Sequence, residues 1–140
     1  MVEENRTRSE GRCLCGQVHY NFHRSPLLVA ICHCRHCQRQ SGSAFSIVAA
    51  VPKADFTLHG ETKIFNDVSD SGRTVGRHFC GDCGSPILST IEPMPDMVLI
   101  KAGTLDNVAS LRPTLEVFCE SALPHLPPMQ DTERFARSNI

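Results

Sequence analysis

The fold class predicted from the sequence is mainly β, with one short helix. Two observations predict it. Past its first residues the chain divides into short alternating or wholly apolar runs, separated by turn residues at roughly 8–12-residue spacing, as in all-β domains. It also holds eight cysteines, seven of them in three tight groups: Cys13-Leu14-Cys15, Cys32-His33-Cys34-Arg35-His36-Cys37 and Cys80-Gly81-Asp82-Cys83, with Cys119 apart. Thiols so close in sequence are poor disulfide partners. Their spacing suits a soft tetrahedral metal, which would pin short strands together.

Residues 1–10 read as a solvated, disordered tail. In Gln17–Phe22, Val18, Tyr20 and Phe22 share one face, as in a half-buried strand. Ser25-Pro26 marks a turn, and Leu27–Cys32 is a fully apolar strand running into the middle cysteine group. Arg35–Ser41 is the one convincing helical stretch, closed by Gly42-Ser43, and Ala44–Val51 is another buried strand. Pro52 and Asp55 bend the chain before Phe56–Leu58, and His59-Gly60-Glu61 reads as a hairpin-like connection to Thr62–Asn66. Ser69–Gly72 is a turn, and Thr74–Phe79 climbs to the third cysteine group. Pro86–Ile91, Met97–Ala102 and Leu115–Cys119 complete the strands. From Pro124 the chain is rich in proline and charge and should lie over the surface. The domain is expected over residues 11–128, with a polar C-terminal tail at 129–140.

At 140 residues the chain has the length of one domain. Aromatic residues are few and tryptophan is absent, so large rings cannot dominate the core. The formal net charge is −1; seven thiolates subtract seven charges and two Zn²⁺ ions add four, giving −4. That balance makes no electrostatic case for nucleic acid or an acidic membrane as partner. No apolar run approaches the ~18 residues of a membrane span. The first ten residues lack the apolar stretch of a signal peptide. Abundant thiols without an export signal point to a reducing compartment, the cytoplasm.

Residues i and i+2 of a strand face one side, so Cys13 and Cys15 can share a metal while Leu14 points away. Cys80-x-x-Cys83 is a knuckle whose turn lets two sulfurs chelate one ion. Four sulfurs make a closed, structural site; reduced core cysteines or a redox pair are the alternative. In the middle group, Cys32 and Cys34 share a face with His33 opposite, and Cys34-x-x-Cys37 turns into the helix, whose N-terminal N–H groups favour thiolates. Three sulfurs leave one position open for water or substrate, the mark of a catalytic zinc. His36 is a possible fourth ligand, although the helix start turns it away. Arg35, Gln38 and Arg39 form a basic rim or an ordinary solvated helix face. Cys119, within its strand, reads as a small buried residue.

Three blocks then become recognisable: Gly11–Val18; Cys32–Cys37 with Ser41-Gly42-Ser43-Ala44-Phe45; and Phe79–Pro86. Together they resemble the glutathione-dependent formaldehyde-activating (GFA) family, which also includes centromere protein V domains. The resemblance covers roughly residues 11–128. It implies a zinc-pinned β-tent of small antiparallel sheets with two zinc ions per chain. Cys13, Cys15, Cys80 and Cys83 would hold the structural ion, and Cys32, Cys34 and Cys37 the catalytic one. It further implies a carbon–sulfur lyase-type enzyme, acting on the adduct of glutathione or another thiol with formaldehyde or a related small electrophile. The C-terminal block departs from the family pattern: Leu115–Glu120 and Pro124-His125-Leu126-Pro127 stand where members often carry histidine and tryptophan. The competing reading is a non-catalytic zinc module that binds a protein partner or a small thiol. His33 and His36 are candidates for a general base by proximity.

Overall fold

The computed structural model describes residues 8–109 and 111–139. Eleven strands occur among them: β1 Ser9–Arg12, β2 His19–Phe22, β3 Leu28–Cys32, β4 Ser46–Pro52, β5 Thr57–His59, β6 Thr62–Val68, β7 Thr74–Cys80, β8 Pro86–Ile91, β9 Met97–Lys101, β10 Leu115–Val117 and β11 Glu133–Arg134. The one α-helix, α1, spans Arg35–Ser41. A three-stranded sheet has the order β1-β2-β5, and a larger one runs β11-β10-β3-β4-β9-β8-β7-β6. Pairing is antiparallel except at β10, which is parallel to β3 and to β11.

The two sheets enclose the core. Val18, Tyr20 and Phe22 bury their alternating face against Val51, Leu88, Val98 and Ile100 of the large sheet. Residues one step out of register with these, among them Ala30, Val48, Ala50 and Leu99, lie on the opposite face and line a cavity. Strand β3, and β4 beyond Ser46, are therefore apolar because one face is buried under the sheet and the other lines the cavity.

Helix α1 begins as the thiol spacing requires. Cys34 is its N-cap, its sulfur accepting from Cys37 N–H at 3.2 Å, and left-handed Gly42 (φ 65°) closes it by donating to Gln38 O.

Four expectations are corrected. Of the tail at 1–10, residues 1–7 lie outside the described residues, while Ser9 and Glu10 pair with β2. His59-Gly60-Glu61 is no hairpin: β5 pairs with β2 and β6 with β7, so the chain changes sheets there. Gly60 permits the crossing, because it has φ +90° and a Cβ would collide with Gln17 O. Strand β10 ends at Val117; Phe118 is left-handed at φ 57° and Cys119 opens a 3₁₀ turn rather than continuing a strand. Of the tail at 129–140, residue 140 lies outside the described residues and the rest is more than a tail, because β11 adds to the sheet and Phe135 N–H donates to Glu116 O. Exposed polar composition hid these contacts, which run through backbone groups.

Candidate metal centres

Two cysteine clusters could hold metal ions. In the first, Cys13 and Cys15 leave the end of β1, and Cys80 and Cys83 leave the end of β7, so the site joins the small sheet to the large one. All four sulfurs lie within 4.8 Å of one another. The Cys13–Cys15 and Cys15–Cys80 separations are 3.6 and 3.8 Å. A tetrahedron with metal–sulfur bonds of ~2.3 Å requires about 3.8 Å between sulfurs, whereas a disulfide requires about 2.05 Å. The residues therefore fit a four-thiolate ion.

Backbone donors complete the knuckles. Val18 N–H donates to Cys13 Sγ at 3.3 Å and Asp82 N–H to Cys80 Sγ at 3.4 Å. Gln17 Nε2 donates to Asp82 Oδ2 at 2.7 Å, tying the two loops together. The Ser85 hydroxyl and then backbone N–H groups lower the Cys83 thiol to about 5, favouring the thiolate a metal needs.

In the second cluster, Cys32, Cys34 and Cys37 converge within 4.8 Å at the junction of β3 and α1. All three line a cavity of about 230 Å³ over the large sheet. The donor set, three thiols around one point, fits a soft ion with a vacant fourth direction. Hydrogen bonds from Cys32 and Cys34 hold Cys37 far down, to about 2, against burial and with help from the Lys101 and Arg77 charges. Cys32 is pushed up, first by its hydrogen bonds with Cys34 and Cys37 and then by burial. Without metal, the shared hydrogen bonds thus favour negative charge on Cys37 over Cys32.

The sequence reading missed the charged groups around this cluster. Arg77, on β7, is buried; its Nε donates to Asp67 Oδ2 at 2.8 Å, and its Nη1 lies 4.0 Å from Cys37 Sγ. Lys101, at the end of β9, is buried and donates to Ser46 Oγ at 2.7 Å. Burial lowers its pKa, while the Cys37 charge opposes the shift. A signal was present: Lys101 follows the apolar run Val98-Leu99-Ile100, and charged residues are seldom buried without a partner or a task.

The histidines are engaged elsewhere. His36 contacts Asp67 Oδ2 at 2.9 Å and Asp70 Oδ1 at 3.2 Å, so it bridges α1 to the β6–β7 turn. His33 turns away from the sulfurs, as expected, and its Nε2 meets buried Glu116 Oε1 at 2.8 Å. Glu116 also accepts from Thr132, Met129 N–H and Arg134. Cys119 completes a third His/Cys/Glu group, but these donors already occupy the carboxylate, and the group braces the middle loop against the C-terminal segment. Gln38 is not on a rim. It is buried and donates to His33 O at 2.8 Å and Ser121 O at 3.0 Å, leaving Arg35 and Arg39 on the exposed side.

The family profile described as "Glutathione-dependent formaldehyde-activating enzyme" matches residues 8–121. A Penicillium rubens protein provisionally named as such an enzyme is 36% identical over 61 residues, covering 44% of this chain and 31% of its own. An Aspergillus flavus protein with the same provisional name is 24% identical over 95 residues, covering 66% of this chain and 49% of its own. The chain thus spans only 31–49% of the length of these curated relatives. A crystal structure of a Rhodobacter sphaeroides protein shares the fold, with a TM-score of 0.55 and 19% identity over 72% of this chain and 91% of that one. No helix among the described residues is long and apolar enough to cross a membrane. With the profile covering most of its length, this chain belongs to the glutathione-dependent formaldehyde-activating enzyme family.

Proposed function

We propose that this chain is a cytoplasmic, zinc-dependent carbon–sulfur lyase-type enzyme acting on the adduct of a thiol, glutathione by family precedent, with formaldehyde or a related small electrophile. Cys13, Cys15, Cys80 and Cys83 hold a structural zinc, and Cys32, Cys34 and Cys37 a catalytic one. The observation that carries the reading is that the second cluster opens onto a cavity with three sulfurs and no fourth protein ligand among the described residues. A scaffold site has no need of an open position.

Zinc at this position would lower the pKa of a bound thiol and supply thiolate at neutral pH. The protein's own groups set the conditions for that chemistry. Lys101 and Arg77 place positive charge beside the cysteine sulfurs, which lessens repulsion of an incoming anionic sulfur. Lys101 commits one of its three donors to Ser46, leaving others for an adduct oxygen. Asp67 holds Arg77 in place through Nε. The apolar wall of Ala30, Val48 and Leu99 excludes water, which strengthens these electrostatic contacts.

The test is metal content per chain together with glutathione titration of the cobalt-substituted protein. Two metals per chain, and a changed thiolate-to-cobalt charge-transfer band on adding glutathione, are expected. Two metals with no response to any thiol would favour the non-catalytic zinc module.

A further inference from the structure

We infer, resting on the reading of Cys32, Cys34 and Cys37 as an open metal site, that the thiol accepted there carries an apolar hydrocarbon group rather than the zwitterionic body of glutathione. The cavity continues from the three sulfurs over the face of the large sheet opposite the core. Strand register lays out its floor: Ala30 stands between Val48 and Leu115, and Ala50 between Leu28 and Leu99. None of these six side chains offers a hydrogen bond. The small residues Ala30 and Ala50, on neighbouring strands, give the floor its depth.

The buried cations serve the sulfur end, Arg77 paired with Asp67 and Lys101 bonded to Ser46. The remaining charge on the lining is Arg73, which is exposed, and its other polar side chains besides Ser89 are Ser69, Ser71, Ser138 and Asn139, none of them on the floor of β3, β4, β9 and β10. Glutathione would bring two carboxylates and an ammonium over this floor, and polar groups taken from water without partners are costly. A hydrocarbon group gains from the same surface.

One polar atom of the ligand has a place. Ser89, 4% exposed and lining the cavity opposite Arg77 and Leu99, has an Oγ buried without a hydrogen-bond partner among the described residues. A buried hydroxyl of this kind calls for a partner. The hydroxyl of a thiol–aldehyde adduct supplies one, with its sulfur at the cysteines and its hydrocarbon along Ala30 and Ala50.

The experiment is calorimetric titration of the zinc-loaded full chain with ethanethiol, propanethiol, butanethiol, pentanethiol and glutathione. Affinity should rise about fourfold per methylene (~0.8 kcal/mol) until the floor is filled, and butanethiol should bind at least tenfold tighter than glutathione. Ala50→Leu should end the rise at a shorter chain; the wild-type series decides even should this variant fail to fold. A flat series, or tighter glutathione binding, overturns the inference while leaving thiol binding at the metal intact. No binding by any thiol overturns the underlying reading and the inference with it. A second copy of the chain seated on this face would give a concentration-dependent dimer in sedimentation and a flat series, which also overturns it.

Discussion

Replacing one half of the four-cysteine site, as Cys80→Ser/Cys83→Ser, removes a cross-link between the end of β1 and the end of β7. A metal held there would close a loop over residues 16–79, about 64 residues, and a cross-link over that length restricts the unfolded chain by about 4 kcal/mol in the chain-entropy treatment. The middle site closes only the few residues between Cys32 and Cys37, which by the same relation is worth about 2 kcal/mol. At ~2.1 cal/mol/K per residue of unfolding entropy, these losses lower Tm by ~15 °C and ~7 °C in a chain of this length. The assay is thermal unfolding by circular dichroism, with metal content measured on the same samples. The Cys80/Cys83 variant should lose one metal and the larger part of its stability. Cys34→Ser/Cys37→Ser should remain folded with one metal and lose its response to thiols. A Cys80/Cys83 variant as heat-stable as wild type, or equal unfolding in both variants, would refute the division into a structural and an open site.

Three further outcomes follow from the contacts. In metal-free protein Cys37 is held low, so its alkylation by iodoacetamide, followed by peptide mapping, should stay nearly constant as pH falls from 8 to 6. A tenfold loss of rate per pH unit over that range would contradict the thiolate assignment. Glu116→Ala should destabilise by about 3–5 kcal/mol in urea unfolding, because it leaves buried His33 and the 129–134 segment without their shared acceptor; a change below about 1 kcal/mol would remove Glu116 as the brace. The Glu116 carboxyl is lowered by Thr132, His33 and Arg134 despite opposing burial. Its contribution is therefore fully present above the ordinary glutamate range of about 4.3 and is lost as pH falls through the lower folded value. Glu116→Gln should flatten that acid limb of the stability profile, and an unchanged limb would assign it to other carboxylates.

The cysteine spacings, the helix at Arg35–Ser41 and most strands were legible in the sequence because each rests on local geometry. Two residues apart in a strand share a face, three apart at a helix start share a turn, and alternation marks burial. The same locality explains why Val18, Tyr20 and Phe22 could be placed in the core from six residues of sequence. Which sheet a strand joins is not local. Thr57–His59 pairs with β2 rather than with its neighbour β6, and Glu133–Arg134 enters the sheet through backbone bonds that its polar side chains do not advertise. The surroundings of the three-cysteine cluster are also tertiary: Arg77 and Lys101 stand beside it, and Asp67 holds Arg77, all from strands far apart in the chain. The sequence alone determined which atoms could bind metal, because sulfur ligands declare themselves by type and spacing. Only the tertiary structure decided which cluster faces a cavity and which charges stand beside it, because burial and field arise from strands that meet only on folding.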